Sequence, residues 1–355
     1  MKKFPVLIML LVMGAGFAAK AQVDLGTGTA AAPAAEQKAP ENKVEAQKEG
    51  IFSFMKMPFS KKAEETAASK DGNLAGLTKK AEQGDLDAQL TLGYTYLYGG
   101  NGIALDDAKA FRYYSMAAAQ NDPVAINNLA SLYYSGVGVD RNAVKAAELF
   151  QRAVKLGNSD AAVNLAFMFL TGSGIPKDPN QAVTLFAKAA KDNNPVAQFM
   201  LGYAYYKGFA SQKDDKRAFD LIKAAADAGY ADAQYVAARM YLEGQGTIKN
   251  YANAIRQLNR AALQGNMEAM MALAEIYAKG KEYQKDIVSA HVWFNIASLY
   301  GASDAAKRRD EMEASLKIEE ILAAQANAEK FKEQPTELTN YIRNTFGYNI
   351  KGYME

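Results

Sequence analysis

A glycine or asparagine returns on a near-constant beat along this chain: Gly84, Asn121, Gly157, Asn193, Gly229, Gly265 and Gly301. The first gap is 37 residues and every later one is 36. A fixed period of this size marks a solenoid, in which each unit is one supersecondary element that cannot bury its apolar face alone. The constraint reaches function. Stacked units make a long surface for holding something, and seldom the enclosed, dry pocket that catalysis needs.

Within a unit the spacing is helical. In the second, Ala125, Leu129 and Tyr133 lie at i, i+4 and i+8, one face of a first helix. Gly136-Val137-Gly138 then supplies a turn where positive φ is available. Ala146, Leu149 and Ala153 share one face of a second helix. The unit is an αα-hairpin whose small contact residues let the paired helices approach closely.

The skeleton recurs. First helices carry Ala88-Leu92-Gly93-Tyr96, Ala161-Leu165-Ala166-Phe169 and Ala197-Leu201-Gly202-Tyr205; second helices carry Ala110-Tyr113-Ala117-Ala118 and Ala182-Leu185-Ala189-Ala190. This pattern resembles the SLR (Sel-one-like repeat) family, short relatives of tetratricopeptide repeats. The resemblance covers Gly84 to Gly301, about six units in register. It implies an all-α fold: a right-handed α-solenoid of about six αα-hairpin repeats with helical caps. Two units depart from the pattern, with Gly208-Phe209-Ala210 and Gly280-Lys281-Glu282 at the turn. Their loops, Ser211 to Lys216 and Tyr283 to Ser289, are polar or irregular and are expected to bulge from one face.

Outside the repeats the chain divides by composition. Residues 1–21 read as a secretory signal: Lys2 and Lys3, an uncharged apolar run from Phe4 to Phe17, then Ala19-Lys20-Ala21 as the cleavage site. That run is short of the roughly 20 residues a spanning helix requires, so no stable membrane span is expected after cleavage. Residues 22–72 are expected to form a disordered tether, too poor in large apolar side chains to offset its ordering entropy. An apolar cluster at 51–59 (Ile51, Phe52, Phe54, Met55, Met57, Phe59) reads either as a cover for the solenoid's end or as a docking motif. The solenoid is assigned to 73–301, capping helices to 302–334 and a tail to 335–355. The tail aromatics Tyr341, Phe346, Tyr348 and Tyr353 are expected to pack on the cap or to be disordered, with partner binding as the alternative.

Several chemistries are excluded or disfavoured. The chain has no cysteine, so thiol nucleophiles, thiolate metal sites and disulfides are out. His291 is the single histidine, with no partner defined by spacing, and reads as structural or exposed. Asp106-Asp107, Asp214-Asp215 and Glu319-Glu320 are adjacent carboxylates; neighbours on a helix point about 100° apart, so they read as solvated charge. Removing Lys2, Lys3 and Lys20 with the signal leaves 38 Lys and Arg against 39 Asp and Glu. That balance lacks the basic footprint of a nucleic-acid binder. No cofactor, no metal and no enzymatic activity are expected.

One face of the first helices carries more aromatic surface than the packing stripe demands. Positions two before, two after and five after the stripe leucine include Tyr94, Asn127, Tyr134, Phe167, Phe199, Tyr203, Tyr206, Tyr235 and Arg239. By similarity to tetratricopeptide arrays, this face should line a concave groove. Such a composition suits recognition, although packing between neighbouring first helices would use some of the same side chains. The resulting expectation is a periplasmic or secreted, non-enzymatic scaffold that binds a peptide or protein partner. An envelope glycan (peptidoglycan) is the alternative ligand, and a β-lactam or glycan hydrolase ranks last. Adaptor roles in envelope signalling or host contact follow from the resemblance alone.

Overall fold

The computed structural model describes residues 74–99, 103–210, 212–280, 283–346 and 350–354. The expected signal, tether and apolar cluster at 51–59 lie outside the described residues, as do Ser211, Lys281, Glu282 and Tyr348. All described elements are helical. After α1 (Leu74–Glu82) come six hairpins: α2 (Leu86–Tyr98) with α3 (Asp107–Ala119), α4 (Pro123–Ser135) with α5 (Ala143–Lys155), and α6 (Ser159–Thr171) with α7 (Pro179–Lys191). They continue with α8 (Pro195–Lys207) and α9 (Asp215–Asp227), α10 (Ala231–Glu243) and α11 (Tyr251–Leu263), and α12 (Met267–Lys279) and α13 (Ile287–Leu299). Then follow α14 (Ala305–Glu313), α15 (Ile318–Glu329), α16 (Glu337–Phe346) and a 3₁₀ turn, Ile350–Met354.

The repeat helices share their boundaries because the same chemistry starts and stops them. Second helices open on Asp106, Asn142, Asp178, Asp214, Asn250 and Asp286, whose side chains accept backbone N–H groups of the first turn. Asp106 and Asp214, expected to be merely solvated, are therefore helix caps. First helices open the same way on Asp85, Asp122, Asn158, Asn194 and Asn266, but the fifth opens on Tyr230, which makes no cap bond. The 36-residue beat marks the link between units. Each of its residues has positive φ, from 59° at Asn193 to 104° at Gly229, where glycine is unstrained and asparagine tolerated.

The altered turn of the fourth unit keeps its course. Ala210 takes φ 47°, and the Asp214 N–H still donates to the Tyr205 carbonyl at 3.1 Å, as Asp178 does to Phe169 at 2.9 Å. Asp286 donates to Tyr277 at 3.0 Å in the sixth unit. Both closing bonds are kept and α9 and α13 begin on time, with backbone strain at Ala210 the cost of the missing glycine.

Each helix packs on its neighbours in sequence, first on second within a unit and second on the next first. One large anchor per second helix fills the seam: Tyr114, Phe150, Phe186, Ile222, Leu258 and Phe294, all essentially fully buried. Burying a side chain of this size contributes about 1.5–3 kcal/mol, and alanines around it bring the helices close. At the C-terminal end α14 and α15 pack against α13. Trp293 and Tyr300 meet Phe331 edge-on at 6.1 and 5.8 Å. His291 is buried in this junction, its Nε2 3.0 Å from Glu313 Oε1, a partner that sequence spacing did not define.

The tail does not stay on the cap. Its 3₁₀ turn packs against α6 and α8, more than 140 residues back along the chain. Ile342, Ile350 and Met354 join the main core. The expectation of a disordered or cap-bound tail is thereby corrected.

Candidate interaction surface

The nine stripe residues fall on one wall, built by α2, α4, α6, α8 and α10, yet they differ in what they present. Asn127 and Phe199 are 0% exposed and Tyr203 is 4% exposed. Tyr94 and Phe167 are also buried; Tyr134, Tyr206 and Tyr235 are half-buried, and Arg239 is exposed. The rings pack on each other along the stripe. Phe199 stacks on Tyr203 at 5.9 Å, and Tyr203 meets Tyr206 at 5.9 Å. Phe199 also takes the edge of Tyr230 at 4.9 Å. Basic groups lie over two rings, Lys207 at 5.6 Å from Tyr203 and Arg141 at 5.7 Å from Tyr134. Arg239 pairs with Glu243 at 3.0 Å. Asn127 and Phe199 thus support the wall from within, while Tyr134, Tyr206, Tyr235 and Arg239 keep surface for contact.

Behind the aromatics of the second and third units runs a buried amide chain. The Asn164 Nδ2 donates to Asn127 Oδ1 at 3.0 Å, and Asn127 Nδ2 approaches Asn128 Oδ1 at 3.4 Å. The Asn164 carbonyl oxygen has no hydrogen-bond partner although the residue is 3% exposed. It borders a hollow of about 90 Å³ lined by Tyr134, Phe150, Phe167, Met168, Thr171, Thr345 and Tyr353. Tyr353 roofs this hollow, its ring 5.3 Å from that of Phe167, and is itself 41% exposed.

The tail approaches through the inter-unit turns. The Gln334 N–H donates to the Leu263 carbonyl at 2.6 Å. The Thr336 hydroxyl donates to the Gly229 carbonyl at 2.9 Å, and the Thr339 hydroxyl to Gln264 Oε1 at 2.6 Å. The Ala231 N–H donates to Thr339 Oγ1 at 3.1 Å. This is the start of α10, the one first helix of the six whose own residue supplies no cap, and the tail satisfies one of its open N–H groups. The Arg343 guanidinium donates to the Gln264 carbonyl at 2.7 Å. Tyr341 is buried against Asp160, and burial together with that carboxylate pushes its phenol well above the ordinary range. Burial likewise raises Asp160, against the opposing bond from Asn194 Nδ2 at 2.8 Å.

Farther along the wall, the sixth unit and α14 frame a second hollow of about 390 Å³, walled by Glu275, Lys279, Asp304, Lys307, Arg308 and Glu311. Arg308 bridges Glu275 at 2.8 Å and Asp304 at 3.1 Å, so its charges are largely matched internally. Among the described residues no group of three His, Cys, Asp or Glu is placed to hold a metal ion, and no helix is long and apolar enough to cross a membrane.

Sequence reasoning missed Asn164, Gln264, Thr336 and Thr339. One signal was readable: Tyr230 breaks a run of Asp and Asn at the first-helix caps, leaving a position that something else must complete.

Comparison with known proteins agrees with this architecture. A family model for the Sel1 repeat matches residues 86–122, 123–158, 159–194, 195–230, 231–266 and 268–299, more than half of the chain. The structure is similar to a Sel1 repeat protein from Oxalobacter formigenes, with 29% identity and a TM-score of 0.54 over 64% of this chain and 99% of that one. It also matches a protective antigen of uropathogenic Escherichia coli displaying an SLR fold, at 22% identity and a TM-score of 0.44 over 84% and 79% of the two chains. No curated protein matches the sequence. Sel1-repeat proteins are generally non-catalytic scaffolds for protein interaction. With six matched repeats stacked as consecutive hairpins, the chain belongs to the Sel1 repeat family.

Proposed function

We propose that this protein is an exported, non-enzymatic scaffold that holds a peptide or protein segment against the wall of its first helices, in the periplasm or outside the cell. The observation that carries the reading is the wall's behaviour toward a peptide already beside it. Residues 334–346 and the Ile350–Met354 turn lie against several units, held through backbone carbonyls, a helix N-terminus and the ring of Phe167. A surface that grips one helical segment in this way has the chemistry to grip another. Half-buried Tyr206 and Tyr235 and exposed Arg239 extend it with rigid rings and a planar donor, the residue types that anchor interfaces. Export rests on Lys2, Lys3, the apolar run from Phe4 to Phe17 and Ala19-Lys20-Ala21.

The test is site-specific photo-cross-linking in cells, with the probe at Tyr235 and a control probe at Leu156 in the exposed link after α5. A defined protein band from Tyr235 that weakens with Arg239→Ala, absent from Leu156 and found in the exported fraction, is expected. Equal capture at both positions refutes the wall as the contact surface. Sedimentation with purified envelope polymer, competed by sugar fragments, would replace the peptide with the glycan.

A further inference from the structure

Three features mark the tail's seat. The start of α10 lacks its own cap and borrows Thr339. Gln264 presents its Oε1 to Thr336 N at 3.0 Å and to Thr339 Oγ1, a use beyond its bonds within the repeat, where Nε2 reaches the Gly229 carbonyl at 3.0 Å and Gln234 Oε1 at 2.9 Å. The Asn164 carbonyl opens into a hollow that Tyr353 covers without bonding it. The first two are satisfied by two threonines three residues apart at the start of a short helix, through both hydroxyls and the Thr336 N–H. The third is a deeply buried acceptor left waiting for a donor, which native structures rarely tolerate.

We propose that the C-terminal segment from Thr336 to Met354 is a resident stand-in, and that the partner is a protein segment that takes the same seats. This rests on the interaction reading above and specifies the partner's chemistry. The partner's segment begins a short amphipathic helix with a Thr or Ser pair at i and i+3. One hydroxyl completes the α10 N-terminus and both engage Gly229 and Gln264. Farther on it places an aromatic ring against Phe167, carrying an N–H donor that reaches Asn164 Oδ1. The tail fulfils the first requirement and the ring, but not the donor, so a segment with all three displaces it.

The experiment uses the full chain with a protease site inserted after exposed Lys332, cut after folding. Exchange of the nicked tail is followed with a fluorescent peptide of residues 333–355, with the helical melt recorded in parallel. The labelled peptide should replace the nicked tail saturably. Thr339→Val in the peptide should weaken binding by about five- to tenfold, the effect of losing a helix cap. Tyr353→Trp, which keeps the ring and adds an N–H, should bind several-fold more tightly, an advantage lost in the Asn164→Leu chain. If cutting unfolds the solenoid, or the peptide never exchanges, the tail is part of the fold and the proposal fails. If it exchanges with no effect of either substitution, the proposed seats are wrong. Cross-linked partner capture at Tyr235 that persists with excess peptide would leave the interaction reading standing while overturning the stand-in.

Discussion

The solenoid builds the same polar stitch at two places and uses it differently. Gln120 and Gln264 occupy equivalent positions after a second helix. Each donates through Nε2 to the preceding unit's turn carbonyl, Gly84 or Gly229, at 3.0 Å, and to a first-helix glutamine, Gln89 at 2.8 Å or Gln234 at 2.9 Å. Gln120 is exposed; Gln264 is buried beneath the tail. The repeat therefore supplies the stitch, and a chain of hydroxyls laid over it converts a surface bond into the hub of a buried network. The two turn glycines make the same point. A Cβ at Gly84 would meet nothing within 4 Å, whereas one at Gly229 would lie 3.1 Å from Thr336 Cγ2.

The largest contrast should come from the glutamines themselves. Gln264→Leu should lower the unfolding free energy by about 3 kcal/mol, because its buried partners lose their bonds together. Gln120→Leu should cost under about 1 kcal/mol, since water replaces the lost contacts. Equal losses in denaturant titration would mean that the tail adds nothing to the buried stitch. Next, Gly84→Ala should cost about 1–2 kcal/mol from left-handed backbone strain alone. Gly229→Ala should cost more by crowding Thr336, and the excess should vanish in a Thr336→Ser background.

A smaller effect isolates the borrowed cap. Thr339→Val in the intact chain should reduce stability by about 1 kcal/mol and speed amide exchange at Ala231. Exchange at Met267, the corresponding start of α12 where Asn266 supplies the cap, should be unchanged. The smallest effect is electrostatic. Burial holds Asp160 above the ordinary carboxylate value in the folded chain. Folding therefore carries a penalty while Asp160 is ionised; this penalty is relieved as pH falls through the raised value and is gone below the unfolded pKa, about 3.9. Asp160→Asn should accordingly stabilise the chain at neutral pH and lose that advantage near pH 3. An advantage that does not vary with pH would sink this account.

Much of the architecture was legible because repetition exposes local rules. The Gly and Asn beat appeared in sequence as a bare spacing, and its physical content is a left-handed residue wherever a second helix gives way to the next first helix. Ala210 shows the limit of reading such marks singly: the turn survives the lost glycine because the closing bond and the packed hairpin over-determine it. The wall was legible as a stripe but not as a surface. Helical spacing assigns Phe199 and Tyr206 to nearby faces, yet Phe199 is sealed by Tyr203 and Tyr230 while Tyr206 keeps solvent contact. Burial depends on what neighbouring units bring.

The amino-acid sequence alone determined the period and the hairpin in each unit, because these are set by contacts within some forty residues. Only the tertiary structure decided where the tail lies, since its bonds join residues more than 70 apart, such as Thr336 with Gly229 and Arg343 with Gln264. Hydroxyls, carbonyls and a half-covered ring carry no periodic signature. Their meaning arises when the stacked units bring an uncapped helix start, a glutamine and a buried asparagine under one segment of the chain.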